Sequence, residues 1–169
     1  MSQTGYTMRQ MLRRDLPELL EIERAAVSKP GLDLPWGQPD FETLREATDK
    51  RLFVLEREYQ GSRLFTDVVG YIAYDIRESA FRIRRIVVAP DLQCRGLGRS
   101  MLDWLARKLT EDRRRLSLIV SECNVGACLF LRASGLKAVN VLRDHFAPGE
   151  DGYVFHYQAH FAELAPCDR

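Results

Sequence analysis

The segment at positions 86–102 has the residue types and the spacing of a turn that binds a phosphorylated ligand. A β-branched run ends at Pro90, a short polar turn follows, and the sequence Arg-Gly-Leu-Gly-Arg at positions 95–99 opens an amphipathic helix. At such a junction several backbone N–H groups point at one spot, and the positive end of the helix dipole lies behind them. The pattern therefore predicts a site for a diphosphate group.

Other phosphate-binding motifs do not fit this turn. A P-loop needs a Gly-Lys-Ser/Thr run, and the chain contains none. A dinucleotide-binding turn needs a third glycine where the chain has Met101, and an acidic residue at the end of the next strand. The remaining alternative is a glycine pair that ends a strand-to-helix turn and binds nothing.

Hydrophobic periodicity and turn residues place this segment in a longer alternating pattern of strands and helices. The predicted order is β-α-α-β-β-β-α-β-α-β-β, which on a chain of 169 residues favours one mixed sheet with helices on both faces. The predicted strands are 7–11, 51–57, 64–75, 81–88, 116–121, 137–143 and 152–160, and the predicted helices are 16–27, 40–48, 97–110 and 124–134.

Two local features refine this pattern. Asp15 is expected to cap the first helix, with Glu18 three residues later as the second half of a capping box. Glu23 falls on the otherwise apolar face of the same helix. Arg84 and Arg85 are consecutive polar residues in a strand whose side chains otherwise alternate, which predicts a β-bulge. Bulges separate neighbouring strands, so this strand is expected to border a site.

Composition excludes several functional classes. The chain has 25 Lys and Arg against 24 Asp and Glu, so no overall basic field favours nucleic-acid binding. No apolar run approaches the length of a membrane span, and the N-terminal residues have no apolar signal region. The four cysteines have no metal-ligand spacing, so we expect reduced thiols and no metal. We therefore expect a single domain over residues 1–169, located in the cytoplasm.

Two separate segments resemble the GNAT superfamily of acetyl-CoA-dependent N-acetyltransferases. The family carries an Arg/Gln-x-x-Gly-x-Gly/Ala signature, which Gln-Cys-Arg-Gly-Leu-Gly at positions 93–98 resembles. Further along, Asn124, Ala127 and the segment 132–136 resemble the family's Asn…Ala…Gly-Phe segment, which flanks the pantetheine arm of the cofactor. The resemblance covers essentially the whole chain. It implies an α/β (α+β) GNAT-like fold with a mostly antiparallel, twisted sheet of about seven strands.

Three segments resemble more narrowly the protein N-terminal (α-amino) acetyltransferases, particularly the ribosomal-protein-alanine type. Leu-Pro-Trp at 34–36, followed by Phe41, resembles their Pro-Trp…Phe segment, and residues 120–124 resemble their Val-Arg-Glu/Ala-Ser/Thr-Asn. His-Phe-Ala-Pro-Gly-Glu-Asp-Gly-Tyr at 145–153 resembles their Tyr-Tyr-x-x-Gly-Glu-Asp-Ala-Tyr hairpin, whose aromatic pair lines the peptide groove. The alternative for that pair is a hairpin loop with one aromatic residue packed for stability.

The resemblance implies acetyl-CoA as co-substrate, no metal, and the N-terminus of a protein or peptide as acceptor. The strand before the turn is expected to pair with the pantetheine arm, with one N–H facing the oxyanion. The residues implied in acetyl-CoA binding are Ile86, Val87, Val88, Gln93, Cys94, Arg95, Gly96, Leu97, Gly98, Arg99 and Asn124. The residues implied in acceptor binding are Leu34, Trp36, His145, Phe146 and Tyr153.

The catalytic acid and base of the ribosomal-protein type do not carry over to this chain. The family's glutamate falls on Ile119, and the tyrosine that protonates its thiolate falls on Leu131. The candidate replacements are Glu122, His145 and Tyr157. An acid at position 122 can instead cap the helix that follows, and a loop histidine can simply be solvated.

An α-amino acceptor agrees with the loss of these two groups. An α-amine has a pKa of about 7.7–8.0 against about 10.4 for lysine, so an appreciable fraction is neutral near pH 7. Bringing the reactants together supplies roughly 7–11 kcal/mol, whereas a general base adds ~10²–10⁴-fold. We therefore expect a monomeric or weakly dimeric enzyme that acetylates a protein N-terminus, with ribosomal proteins as candidates. A GNAT enzyme for a small amine and a non-catalytic acyl-CoA-binding module are the alternatives.

Overall fold

A computed structural model describes residues 4–27, 35–60 and 64–161 of the chain. The described residues form seven β-strands and four α-helices. The strands are β1 (Thr4–Gln10), β2 (Lys50–Gln60), β3 (Leu64–Ile76), β4 (Ala80–Val88), β5 (Arg115–Ser121), β6 (Lys137–Ala147) and β7 (Glu150–Gln158). The helices are α1 (Leu16–Val27), α2 (Gln38–Glu46), α3 (Leu97–Ala106) and α4 (Val125–Ala133), with 3₁₀ turns at Arg13–Asp15 and Pro90–Leu92.

The strands of the described residues form one sheet in the order β1-β2-β3-β4-β5-β7-β6. Neighbouring strands are antiparallel except β4 and β5, which run parallel because α3 connects them across the sheet. α1 and α2 cover one face, where Leu19 and Phe41 are fully buried. α3 and α4 cover the other face through Leu105 and Leu131. The predicted mixed, mostly antiparallel sheet with helices on both faces is confirmed.

The start of α1 differs from the sequence-based prediction. Asp15 lies in a 3₁₀ turn, where its carboxylate accepts hydrogen bonds from Leu12 N at 2.7 Å and from Arg9 Nη1 at 2.6 Å. Glu18 turns away from the helix end and accepts Val68 N in β3 at 2.6 Å. The expected capping box at this helix is therefore wrong, because Asp15 binds the start of its own 3₁₀ turn and Arg9 of β1, and Glu18 binds β3.

Other element ends also differ from the sequence pattern. α3 ends at Ala106 rather than near position 110, and the chain turns there with Leu109 still buried in the core. β6 and β7 extend further into their connection than predicted, to Ala147 and from Glu150. Among the described residues, no helix has the length and apolarity needed to cross a membrane.

The predicted bulge in β4 is confirmed. Ala73 in β3 pairs with Arg85, and the next residue, Tyr74, pairs with Ile83, so that Arg84 is the additional residue of β4. An additional residue bends the strand and increases its local twist. β4 therefore changes direction just before its C-terminal half, which leads into the glycine turn.

Candidate active site

β4 and β5 separate beyond their first residues and leave a cleft between them. They pair only from Ala80–Arg115 to Arg82–Ser117 within the described sheet. The cleft has a volume of about 150 Å³ and is lined by residues 84–87 of β4, 118–121 of β5, Phe146 of β6, and one face of α4 with its N-cap (Asn124, Ala127, Phe130 and Leu131). A strand edge that faces such a cleft can form backbone hydrogen bonds with an extended ligand, as it would with another strand.

The turn after β4 presents backbone amides at the N-terminus of α3. Cys94 and Gly96 have positive φ angles of 60° and 82°, a backbone shape that directs successive N–H groups to one side. The first hydrogen bond of α3 is donated by Ser100 N to Gly96 O at 2.9 Å. The amides of residues 97–99 therefore have no acceptor within the helix. This geometry fits the anionic diphosphate that the sequence pattern predicts.

Contacts with neighbouring elements hold this turn in place. Gln93 Nε2 donates a hydrogen bond to Val88 O at 3.0 Å, which ties the turn to the end of β4. Leu97 is buried in the core. Arg99 Nη1 donates to Ala133 O at the C-terminal end of α4 at 3.3 Å. The turn is therefore fixed against both β4 and α4.

Three further turn residues have different surroundings. A Cβ atom placed on Gly98 would lie 3.1 Å from Cζ of Phe130, a residue that lines the cleft. Cys94 and Arg95 are exposed. Gly98 therefore lets α4 pack closely against α3, whereas the side chains of Cys94 and Arg95 face solvent.

A buried glutamate holds Arg85, one of the residues that line the cleft. Glu23 of α1 is fully buried, and its carboxylate accepts four hydrogen bonds. The donors are the hydroxyl of Tyr71, Arg85 Nε at 3.0 Å, Arg85 Nη2 at 2.8 Å and Trp36 N at 2.9 Å. We call these four residues the Glu23 cluster. It joins α1, β3, β4 and the segment before α2, and the sequence analysis did not identify it.

The rings of this cluster form an aromatic wall with Phe41. Trp36 lies 5.9 Å from Phe41 and 6.2 Å from Tyr71 between ring centroids, and Arg85 lies 5.3 Å from the Trp36 ring centroid. Burial, and then the Glu23 carboxylate, raise the pKa of Tyr71 well above its usual value, so its hydroxyl stays protonated and donates. Leu34, also expected on this side, lies outside the described residues.

The end of β5 is joined to the β6–β7 hairpin by carboxylates. Glu122 N donates to Asp151 O at 3.0 Å, and Asp151 N donates to Glu122 Oε1 at 3.1 Å. The hydroxyl of Ser121 donates to Glu150. The carboxylate of Glu122 therefore holds the hairpin against β5.

Asn124 both caps a helix and lines the cleft. It is the N-cap of α4, where its Oδ1 accepts Ala127 N at 3.1 Å, and it also lines the cleft. The alternative in which Glu122 caps this helix is therefore wrong. Ile86 and Val87 line the cleft as well, whereas Val88 is buried beside it.

The predicted acceptor residues of the hairpin lie at the open end of the cleft. His145 and Phe146 belong to β6, and their rings meet edge to face at 5.0 Å between centroids. Phe146 lines the cleft, and His145 is exposed. Tyr153 pairs with Val120 in the part of β5 that lines the cleft.

The predicted catalytic candidate Tyr157 lies elsewhere. It pairs with Leu116, at the end of β5 where β4 and β5 still pair. Leu116 lies two residues before the first β5 residue of the cleft lining, Leu118, so the register places Tyr157 at the closed end, away from the other candidates. Ile119 and Leu131 both line the cleft, which is apolar where the family has its acid and base. No group of three or more potential metal ligands occurs among the described residues.

A family model for the acetyltransferase (GNAT) family matches residues 8–136, which include β4, the glycine turn, α3 and α4. The chain belongs to the GNAT family. It is therefore an N-acetyltransferase of the family that uses acetyl-CoA, and the cleft and the turn described above fit a pantetheine arm and its diphosphate. No curated protein sequence matches this GNAT enzyme.

Solved structures of several acetyltransferases have the same fold. The ribosomal-protein-S18-alanine N-acetyltransferase of Escherichia coli is 19% identical, with a TM-score of 0.70 over 95% of this chain and 98% of that one. NAA60 of Arabidopsis thaliana, in complex with a bisubstrate analogue, is 16% identical, with a TM-score of 0.73 over 92% and 100%. Spermidine N-acetyltransferase of Vibrio cholerae, with CoA and spermine, is 18% identical, with a TM-score of 0.69 over 90% and 95%. Acceptors of different kinds thus occur on this fold.

Proposed function

We propose that this GNAT enzyme transfers the acetyl group of acetyl-CoA to the N-terminal α-amine of a protein. The charge of the cleft carries the proposal. In the described part of the chain, its lining includes Arg84 and Arg85 and no aspartate or glutamate. The carboxylate of Glu23, behind Arg85, is already occupied by four donors. Arg85 is paired with Glu23 at 2.8 Å and Arg84 with Asp75 at 3.6 Å. The described lining therefore offers no free carboxylate to hold the additional ammonium groups of a polyamine, whereas a peptide N-terminus brings a single amine that is uncharged when it reacts.

The shape of the acceptor side supports a peptide as well. Trp36 is half-buried beside the cleft, and Phe146 lines it from the hairpin. Trp36 packs against Arg85, which lines the cleft together with Phe146, so the two rings offer apolar surfaces to the first side chain of a peptide. The two rings correspond to the Trp and to one member of the aromatic pair in the N-terminal acetyltransferases that the sequence resembles.

The chemistry requires a neutral amine next to a fixed thioester. The amine nitrogen attacks the carbonyl carbon, the N–C bond forms, the C–S bond breaks, and the CoA thiolate leaves and takes up a proton. Roughly a tenth of an α-amine with a pKa of about 7.7–8.0 is neutral at pH 7, against less than a thousandth of a lysine amine. The unpaired edge of β4, from Ile86 to Val88, supplies backbone groups for the pantetheine arm and an N–H for the oxyanion.

The proposal is tested with purified protein, acetyl-CoA and a panel of acceptors. The panel contains peptides that differ in their first residue, the same peptides with a blocked α-amine and an internal lysine, and spermidine. Peptides from ribosomal-protein N-termini come first, because the Escherichia coli neighbour is named for such a substrate. We expect acetylation of free α-amines and little or none of the blocked peptides.

Two results would contradict the proposal. Faster acetylation of spermidine than of every peptide would favour the small-amine alternative. Calorimetric binding of acetyl-CoA without transfer to any amine would favour a non-catalytic acyl-CoA-binding module.

A further inference from the structure

Three departures from the N-terminal acetyltransferase pattern meet at one place in the structure. Ile119 replaces the family's glutamate, Gly152 replaces the alanine of its hairpin, and His145 replaces the first residue of its aromatic pair. A Cβ atom on Gly152 would lie 2.9 Å from Cγ2 of Ile119 and 3.1 Å from both Cβ and Cδ2 of His145. The imidazole of His145 and the side chain of Ile119 are therefore neighbours across Gly152.

The glycine is what allows this arrangement. Contacts of a Cβ atom at such distances require its neighbours to move, and even alanine at position 152 would press against the His145 ring and Ile119. Ile119 lines the cleft, as do its strand neighbours Leu118 and Val120. The ring of His145 thus lies beside the position from which the family's glutamate would reach the acceptor.

The backbone of the hairpin directs His145 to this place. Asp144 has a positive φ of 51°, its N donates to Asp151 Oδ1 at 3.1 Å, and its own Oδ1 accepts Gly149 N at 2.6 Å. These bonds hold a non-glycine residue in the left-handed conformation, which residues with a Cβ atom rarely adopt. The strained residue immediately precedes His145, so the turn of the chain sets the direction of its side chain.

We propose that His145 is the general base of this enzyme, a role that rests on the proposed N-terminal acetylation. The neutral imidazole accepts a proton from the attacking amine nitrogen as the N–C bond forms and the C–S bond breaks. The proton then passes to solvent, to which His145 is open, and the CoA thiolate is protonated in turn. The other candidates are otherwise engaged: Glu122 is bonded to Asp151, and Tyr157 lies at the closed end of the cleft.

The first test removes the imidazole and returns it from solution. We expect His145→Ala to lower kcat by roughly 100-fold, to leave acetyl-CoA binding by calorimetry unchanged, and to regain activity when free imidazole is added. His160→Ala, an exposed histidine after β7, is the matched control and should change neither kcat nor the response to imidazole. Wild-type kcat in His145→Ala, or no response to imidazole, would overturn the proposal.

The second test restores the family's carboxylate. Ile119→Glu in the His145→Ala background places an acid on the neighbouring strand, and we expect kcat to recover at least 10-fold. The double variant should also unfold thermally as His145→Ala does, which shows that it is folded. If kcat does not recover in such a folded variant, the carboxylate introduced at position 119 and the His145 imidazole do not act at the same position.

The third test examines the geometry without an activity measurement. In Gly152→Ala the added methyl group displaces the ring, so the NMR resonance of the His145 Cε1 proton should shift while that of His160 stays in place. An unshifted His145 resonance in folded Gly152→Ala would contradict the contact on which the proposal depends.

The role of His145 and the identity of the acceptor are tested separately, because the kinetic tests use whichever amine the wild-type enzyme acetylates fastest. If that amine is spermidine, the proposed acceptor is wrong, and the His145 result still decides the base. If the wild-type protein acetylates no amine, both proposals fall.

Discussion

At the scale of single residues, the two glycines of the phosphate turn act in different ways. Gly96 has a positive φ of 82°, a conformation that residues with a Cβ rarely adopt, and a Cβ there would meet nothing within 4 Å. Gly98 has ordinary helical geometry, and its role is to admit the ring of Phe130 at close range. Gly96 therefore sets the backbone conformation of the turn, and Gly98 allows α4 to pack closely against α3.

Gly98→Gln and Gly98→Glu separate packing from charge at this turn. Both side chains have nearly the same size and displace Phe130 equally, but only the glutamate places a negative charge beside the bound diphosphate. We expect acetyl-CoA affinity to fall in both variants, and further in Gly98→Glu, by about 1 kcal/mol at low salt and less at high salt. Isothermal calorimetry at two ionic strengths measures this difference. Equal affinities for the two variants would contradict a diphosphate at this position.

At the scale of elements, the Glu23 cluster sets the position of the aromatic wall formed by Trp36, Tyr71 and Phe41. α1 carries the buried carboxylate, and β3, β4 and the segment before α2 donate hydrogen bonds to it. The side chain of Arg85 is 9% exposed and that of Glu23 is fully buried, so the ion pair is largely removed from water. Movement of any one element would leave a buried charge or donor without its partner.

Glu23→Gln tests this positioning role. The amide offers donors where four donors already point, and breaking a buried ion pair from one side costs about 3–5 kcal/mol. We expect a lower free energy of unfolding and a kcat/KM for the peptide that falls roughly 10- to 100-fold through misplacement of the acceptor. Acetyl-CoA affinity should be unchanged, because the phosphate turn is held by β4 and α4. The matched control is Glu21→Gln, an exposed residue of the same helix, which should behave as wild type.

At the scale of the whole molecule, the sheet consists of two parts with a narrow junction. β1 to β4 form one part and β5, β7 and β6 the other, and in the described part of the sheet only three residue pairs connect β4 to β5. The candidate active site is the gap that this junction leaves open. A ligand that occupies the gap contacts both parts of the sheet, so binding and stability are linked.

Acetyl-CoA is therefore expected to stabilise the whole chain. At 100 times its Kd, a ligand that binds only the folded state adds about 2.7 kcal/mol, which corresponds to a rise in Tm of about 5–11 °C for a protein of this size. Hydrogen exchange should slow at the amides of β4 that face away from β3 and at residues 97–99. Protection confined to β1 and β2 would place the ligand elsewhere.

The phosphate turn and the bulge could be predicted from the sequence because both depend on neighbouring residues. The closely spaced glycines of the turn and the two consecutive arginines of β4 are local signals, and the structure contains a turn with positive φ at Gly96 and a bulge at Arg84. No local sequence pattern indicated the Glu23 cluster. Helical periodicity placed Glu23 on the apolar face of α1, and its partners Tyr71 and Arg85 lie far away along the chain.

The sequence by itself determined the order of strands and helices, the glycine turn and the family resemblance, because periodicity, turn residues and motif spacing act over short stretches of chain. Only the tertiary structure decided which distant side chains share the cleft. It brought His145 beside Ile119 across Gly152, and it removed Tyr157 to the closed end. The physical reason is strand register: a pairing between β5, β6 and β7 fixes which side chains meet, and no local pattern encodes that pairing.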